Sequence, residues 1–92
     1  MNKEEEMVTY ADAISQWGPQ AQIKVAAEEF AELIVELMKM GRNINGSSIE
    51  KITDEMADAE VVLGQLKFMF NNAADVERTR QEKLMRVREM LK

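Results

Sequence analysis

The spacing of apolar residues along the chain predicts helices. After the polar sequence GRNINGSS, apolar residues recur at alternating steps of four and three, which places them in one continuous stripe along a helix. The members of this stripe are Ile52, Met56, Ala59, Leu63, Leu66 and Phe70. Shorter runs with similar spacing occur on both sides of it. The pattern therefore predicts an all-α fold.

Turn and capping residues divide the chain into four predicted helices. Glycine and proline in WGPQ separate the first helix from the second, because glycine ends helices and proline suits a first turn. Ser47 and Glu50 form a candidate capping box for the third helix, and Asn71 or Asn72 is expected to cap its end. The predicted helices cover about residues 4–16, about residues 19–40, a third segment ending near residue 70, and the segment from NNAAD to the end. Residues 1–92 are expected to form a single domain.

The other helices also carry apolar residues that are expected to face inward. In the first helix these are Met7, Tyr10, Ala11, Ile14 and Trp17; in the fourth they are Val76, Leu84, Val87 and Leu91. Together these stripes exceed what one small bundle needs, and a domain of 92 residues buries only about two thirds of its unfolded surface. We therefore expect a four-helix bundle completed by oligomerisation, as a homodimer or a tetramer.

Composition and charge exclude several classes of function. A net charge of −5, without a basic stripe before residue 78, argues against binding of nucleic acid. No stretch is long and apolar enough for a membrane span and no signal peptide is evident, so a soluble, cytoplasmic protein is expected. The chain contains neither histidine nor cysteine. Any metal must therefore be bound by oxygen ligands, which favours Mg²⁺, Mn²⁺ or Ca²⁺.

The second helix carries one acidic face. At about 100° per residue, its four glutamates share a sector about 100° wide, opposite a mainly apolar sector. The acidic sector contains Glu28, Glu29, Glu32 and Glu36, and the apolar sector contains Ala27, Phe30, Ile34 and Leu37. A solvated outer face is one interpretation, because amphipathic helices commonly present such a face to water.

A second set of carboxylates favours the binding of a cation. Glu55 lies on the rim of the apolar stripe of the third helix, and Asp58 follows one turn later. Glu29 and Glu32 repeat this three-residue spacing, which projects two side chains from the same side of a helix. If the two helices form an antiparallel hairpin, the four carboxylates can converge. Their mutual repulsion would then be relieved by a divalent cation.

These residues resemble the MazG-like, all-α nucleoside triphosphate pyrophosphohydrolases. The hallmark of that family is E-x-x-E on one helix and E-x-x-D on the next, which reads here as EEFAEL and DEMADAEVVLGQL. The similarity extends over about residues 17–91. It implies hydrolysis of nucleoside or deoxynucleoside triphosphates to the monophosphate and pyrophosphate, in the manner of a nucleotide-pool housecleaning enzyme. It also implies Mg²⁺, or Mn²⁺ as a substitute, held by Glu29, Glu32, Glu55 and Asp58.

The resemblance suggests further site residues. Glu28 and Glu29 are the candidate catalytic carboxylates, with Glu28 as a spare proton acceptor. Trp17 is a candidate for stacking on the base, with core packing as the alternative. Candidate phosphate contacts are Lys24, Lys83, Arg86 and Arg80. As an alternative, the two arginines form surface salt bridges with Glu82 and Glu89. Candidates for the base pocket are Tyr10 and either Asn71 or Asn72. Val87 stands near the place where the family usually has an asparagine.

Two other functions remain open at this point. The phosphoribosyl-ATP pyrophosphohydrolases share the fold family, although little of their flanking sequence is present. A helical dimerisation module without catalytic activity, whose acidic faces are only solvated, is the alternative outside the enzymes.

Overall fold

The computed structural model describes residues 1–42 and 48–92, and these residues form four helices and no strand. The helices are α1 (Lys3–Trp17), α2 (Pro19–Gly41), α3 (Ile49–Phe70) and α4 (Ala73–Met90). The prediction of an all-α chain with four helices is confirmed. The helix ends fall within about one or two residues of the predicted ones, which is the usual uncertainty of a helix boundary.

Local signals in the sequence set where the helices begin. At the start of α1, the Asn2 side chain accepts a hydrogen bond from the Glu5 backbone N–H (2.8 Å), and Glu5 accepts one from the Asn2 backbone N–H (3.1 Å). This reciprocal pair satisfies two donors that have no partner inside the helix. The N-cap of α3 is Ser48, whose hydroxyl accepts from the Lys51 N–H at 3.1 Å. Ser47, the predicted cap, lies outside the described residues.

Two residues with positive φ connect the helices. Gly18, at φ 86°, joins α1 to α2 in a conformation that a side chain disfavours. Asn71 ends α3 in the left-handed region, as expected for one of the two asparagines. The backbone N–H groups of Asn71 and Asn72 donate to the carbonyls of Phe68 and Lys67, both at 3.2 Å. This arrangement is a Schellman motif, in which asparagine substitutes for the more common glycine.

The centre of the fold is the α2–α3 hairpin. These two helices make the most extensive contact and α1 lies against both, whereas α4 touches α3 alone among the helices of the described residues. Tyr10 of α1 packs against Phe68 of α3 with ring centroids 6.2 Å apart, over the backbone of Gly64. The buried residues are small or moderate in size: Ala13, Gln22, Ala26, Ile52 and Val62.

Most of the residues predicted to face inward are exposed in the single chain. Ile52 of the α3 stripe is buried and Tyr10, Ile14, Ala59, Leu66 and Val76 are half-buried. The exposed members are Met7, Ala11, Trp17, Met56, Leu63, Phe70, Leu84, Val87 and Leu91. For these residues the prediction of burial is wrong within one chain, because in the described part of the chain α1 covers only part of the α3 stripe and α4 touches α3 alone.

The orientation of α2 is the most informative feature of the fold. Its packed side lies between the two sectors: Gln22 and Ala26 are buried and Leu33 is half-buried. Of the acidic sector, Glu29 and Glu36 are half-buried, whereas Glu28 and Glu32 are exposed. Most of the apolar sector is turned outward, and we call the exposed apolar residues on this side, Ile23, Ala27, Ile34, Leu37 and Met38, the α2 outer stripe. None of the helices in the described residues has the length and apolar character needed to cross a bilayer.

Candidate metal centre

Three glutamates from two helices meet at the α2–α3 contact. Glu29 and Glu32 lie one turn apart on α2, and Glu55 approaches them from α3. One carboxylate oxygen of each lies within 4.8 Å of the others. Three of the four carboxylates predicted to converge therefore meet here, because Glu29 lies on the packed side of α2.

A second group of carboxylates shares Glu55. Oxygens of Asp54, Glu55 and Asp58 also lie within 4.8 Å of one another, all on α3. Asp54 is a member that was not predicted from the sequence. It lies four residues before Asp58, which places both side chains on one side of the helix, so this spacing could have predicted it. We call the five residues of the two groups the acidic cluster.

The surroundings of Glu29 favour its neutral form. Desolvation is the largest cause that raises the pKa of Glu29. The negative charges of Glu32 and Asp58, a side-chain hydrogen bond with Asp58, and the charge of Glu55 raise that pKa further. The two acidic pairs therefore interact directly across the helices.

The pKa of Glu55 is raised in the same way. Desolvation contributes most, followed by the charges of Glu32, Asp58 and Asp54 and by a side-chain hydrogen bond with Glu32. Glu55 is thus the residue through which the two groups of oxygens are coupled. A cation placed beside it would act on both groups and would favour the ionised forms.

Unpaired oxygens show that the cluster is incomplete by itself. Oε2 of Glu29 and Oε2 of Glu55 are buried and have no hydrogen-bond partner in the part of the chain that the structure describes. A buried carboxylate oxygen without a partner is unfavourable, since it loses water and gains nothing in return. Oxygen ligands of this kind suit Mg²⁺, Mn²⁺ or Ca²⁺, so the residues fit the expected cation.

An open cavity of about 240 Å³ adjoins the cluster. It is lined by Ala31, Glu32, Val35, Glu36 and Glu55. Glu36 forms an ion pair with Lys39 at 3.4 Å through one oxygen, while its other oxygen is buried and unpaired among the described residues. Glu36 therefore extends the negative surface of the centre by one helical turn towards the end of α2.

Trp17 lines a larger groove on the other side of the cluster. The groove has a volume of about 580 Å³, and its walls are Trp17, Ala21, Gln22, Val25, Val61, Val62 and Gln65. Val25 and Val62 lie one helical turn, or about 6 Å, from Glu29 and Asp58 respectively. The groove and the cluster thus adjoin along the same helix pair. The Trp17 side chain is exposed, which contradicts its alternative role in the core.

The candidate basic residues have surroundings of their own. Lys83 lines a groove with Asn72, Asp75, Val76, Thr79 and Arg80, and this groove contains no member of the cluster. Arg80 donates two hydrogen bonds to Glu77, at 2.8 and 2.7 Å, rather than pairing with Glu82. Glu89 pairs with Lys92 at 3.0 Å. Lys24 and Arg86 are exposed.

The remaining candidates have different surroundings. Glu28 is exposed and belongs to neither group of the cluster, but it precedes Glu32 by one turn on the same side of α2. Tyr10 packs between α1 and α3, and Asn71 serves as a helix cap. Oδ1 of Asn72 is buried without a partner among the described residues.

The centre is thus defined by its own geometry: five carboxylates on a helical hairpin beside a groove lined by a tryptophan. In comparisons with protein-family models, with curated proteins and with solved structures, no match to this chain was found.

Proposed function

We propose that this protein is a Mg²⁺-dependent hydrolase that converts nucleoside triphosphates to the monophosphate and pyrophosphate. The observation that carries the proposal is the meeting of Glu29 and Glu32 with Glu55, whose oxygens lie within 4.8 Å of one another. The resemblance of these residues to the E-x-x-E and E-x-x-D motifs of MazG-like enzymes supports the same function.

The acidic cluster would hold the cation. Glu29, Glu32, Glu55 and Asp58 are the proposed ligands, and Asp54 is added to them by its position beside Glu55. When bound, Mg²⁺ neutralises the charge on the phosphates and lowers the pKa of a coordinated water. Without it, the cluster would repel a triphosphate.

The residues around the cluster have separate roles in this proposal. Water attacks the α-phosphorus, the bond between the α-phosphorus and the bridging oxygen breaks, and pyrophosphate leaves. The proton of the water passes to a carboxylate outside the ligand set, and Glu28 is the proposed acceptor because it is exposed and lies one turn from Glu32. The Trp17 groove would receive the base, which stacks on an indole ring.

The test is a release assay with matched variants. The protein is incubated with Mg²⁺ and a panel of ribo- and deoxynucleoside triphosphates, and with phosphoribosyl-ATP, and pyrophosphate is measured separately from orthophosphate. Glu32→Gln is expected to lower turnover by more than about 100-fold, since even residues behind the metal ligands often contribute 10- to 100-fold. The control is Glu60→Gln, which removes a negative charge at an exposed position of α3 outside the cluster.

The outcomes separate the candidate functions. Pyrophosphate from a nucleoside triphosphate, lost in Glu32→Gln and kept in Glu60→Gln, supports the proposal. Release from phosphoribosyl-ATP alone would assign the chain to the histidine-pathway type of reaction. The exposed apolar surface favours the dimerisation module as a second candidate. No release from any substrate, and no change in Tm with Mg²⁺ or Mn²⁺, would support that module instead.

A further inference from the structure

Helix α4 has few contacts with the rest of its own chain. Its 18 residues contain no buried side chain, and within the described residues it touches only α3. In proteins most of the stability of a helix comes from packing of its apolar face rather than from helix propensity. Its apolar residues Leu84, Val87 and Leu91 share one side of the helix and are exposed by 49%, 51% and 81%. The helix therefore presents an unpartnered apolar face.

The single chain exposes more surface than a compact protein of its size. Its accessible surface is 7423 Å², whereas a compact monomer of 10.5 kDa exposes about 5,400 Å². Its radius of gyration is 15.9 Å, against about 12 Å expected for this length. The excess of about 2,000 Å² per chain is of the size that permanent dimers bury.

Charge is distributed unevenly between α4 and the remainder. Residues 73–92 contain six basic and four acidic residues, whereas residues 1–72 contain six basic and thirteen acidic residues. Residues 1–72 therefore have a net charge of −7 and residues 73–92 a net charge of +2, so the body of a second copy attracts α4 at long range. Lys83 lies on the same side of α4 as Val76 and Val87, within about 40° around the helix axis.

We propose that α4 is an exchanged arm, which crosses to a second copy of this chain and lies on its α2 outer stripe. The arrangement is reciprocal, so each copy contributes one arm and receives one, as in a two-fold symmetric dimer. The α2 outer stripe is an apolar face about 100° wide, and the α4 face matches it in character. The proposal does not depend on the metal centre or on catalysis.

Two matched substitutions test the contact. Val87 lies on the apolar face of α4, and Met85 lies on the opposite side; their side chains are exposed by 51% and 65% in the single chain. Val87→Asp is expected to weaken self-association by at least about tenfold, because it would bury an unpaired charge. Met85→Asp is expected to leave it unchanged. Sedimentation equilibrium measures both, and circular dichroism checks that both remain helical.

Cross-linking tests which surface receives the arm. The chain has no cysteine, so each introduced thiol is unique. Chains with Leu84→Cys are mixed with differently tagged chains carrying Ile34→Cys and are treated with a short bis-maleimide. A heterodimer between the two tags is expected, in higher yield than with Ser15→Cys, an exposed position on α1. A monomeric wild-type protein, a dimer equally sensitive to both aspartate variants, or a cross-link yield no higher than the control would overturn the proposal.

Discussion

At the scale of single residues, the charge at the α2–α3 contact is the feature that needs explanation. Glu55 has a raised pKa, and its Oε2 is buried without a partner among the described residues. A residue placed so unfavourably for folding is commonly retained for a function. Ionised Glu55 is therefore expected to lower the stability of the fold without a cation and to strengthen the binding of a cation.

Glu55→Gln is the substitution that separates these two contributions. Without divalent cations the variant is expected to have a higher Tm than the wild type at neutral pH, because desolvation and repulsion of a negative charge are removed. The increase of Tm on adding Mg²⁺ should at the same time be lost. Thermal unfolding with EDTA and with Mg²⁺ measures both effects, and Glu60→Gln is the control. A lower Tm in EDTA would contradict the account of Glu55.

At the scale of the helices, close packing places α1 on α3. Gly64 allows the Tyr10 ring to lie directly on the α3 backbone, since a Cβ at position 64 would be 3.0 Å from the ring carbon Cζ. The ring therefore has to move if any larger residue is introduced. Helix α4, in contrast, has no buried side chain and carries exposed ion pairs of Arg78 with Asp75 and of Arg80 with Glu77.

Gly64→Ala is expected to lower stability. Alanine improves helix propensity by about 1 kcal/mol, but overpacking against Tyr10 costs about 1–3 kcal/mol. In a Tyr10→Ala background the clash is absent, and the same substitution should then be stabilising. A double-mutant cycle of urea unfolding detects this reversal of sign. If Gly64→Ala stabilises both backgrounds, Tyr10 does not occupy the described position.

The lowered pKa of Glu77 predicts that the stability of helix α4 depends on pH. Hydrogen bonds from Arg80 and Gln81 lower the pKa of Glu77 from 4.5 to about 2. Because this pKa is lower in the folded state, its stabilising contribution is present above pH 4.5 and is lost as the pH falls towards about 2. The helicity of the wild type should decline over this range, and the decline should be smaller in Glu77→Gln and smaller for the wild type in high salt. The effect is small because the side chains of Glu77 and Arg80 are both exposed.

Acid titration followed by circular dichroism, with Glu82→Gln as a matched control on the same helix, provides the measurement. Glu82 has no ion pair within the described residues, so its replacement should leave the profile of the wild type unchanged. Identical acid profiles for Glu77→Gln and the wild type would show that the Arg80 contact does not hold α4 together.

At the scale of the whole molecule, the core is too small for the chain. In residues 1–42 and 48–92 the buried apolar residues are two alanines, one isoleucine and one valine, while twenty large hydrophobic residues are exposed. Large exposed apolar patches often mark sites of interaction. Folding and association are therefore expected to be linked.

This linkage predicts that stability depends on protein concentration. The Tm of the wild type should rise with concentration, since only the folded chain can form the dimer. Val87→Asp should remove most of this dependence, whereas Met85→Asp should keep it. Differential scanning calorimetry over a hundredfold range of concentration measures the effect. A Tm that does not change over this range would contradict an assembly that completes the core.

The sequence by itself determined the four helices and most of their ends, because these depend on local signals such as Gly18, Asn71 and the apolar spacing. It also determined the three-residue spacing of the carboxylates, which follows from helical geometry. Only the tertiary structure decided that Glu29 of α2 meets Glu55 of α3, that Asp54 joins Glu55, and that Ile34 and Leu37 face outward. Periodicity defines two sides of a helix, but the neighbouring helix decides which side is buried.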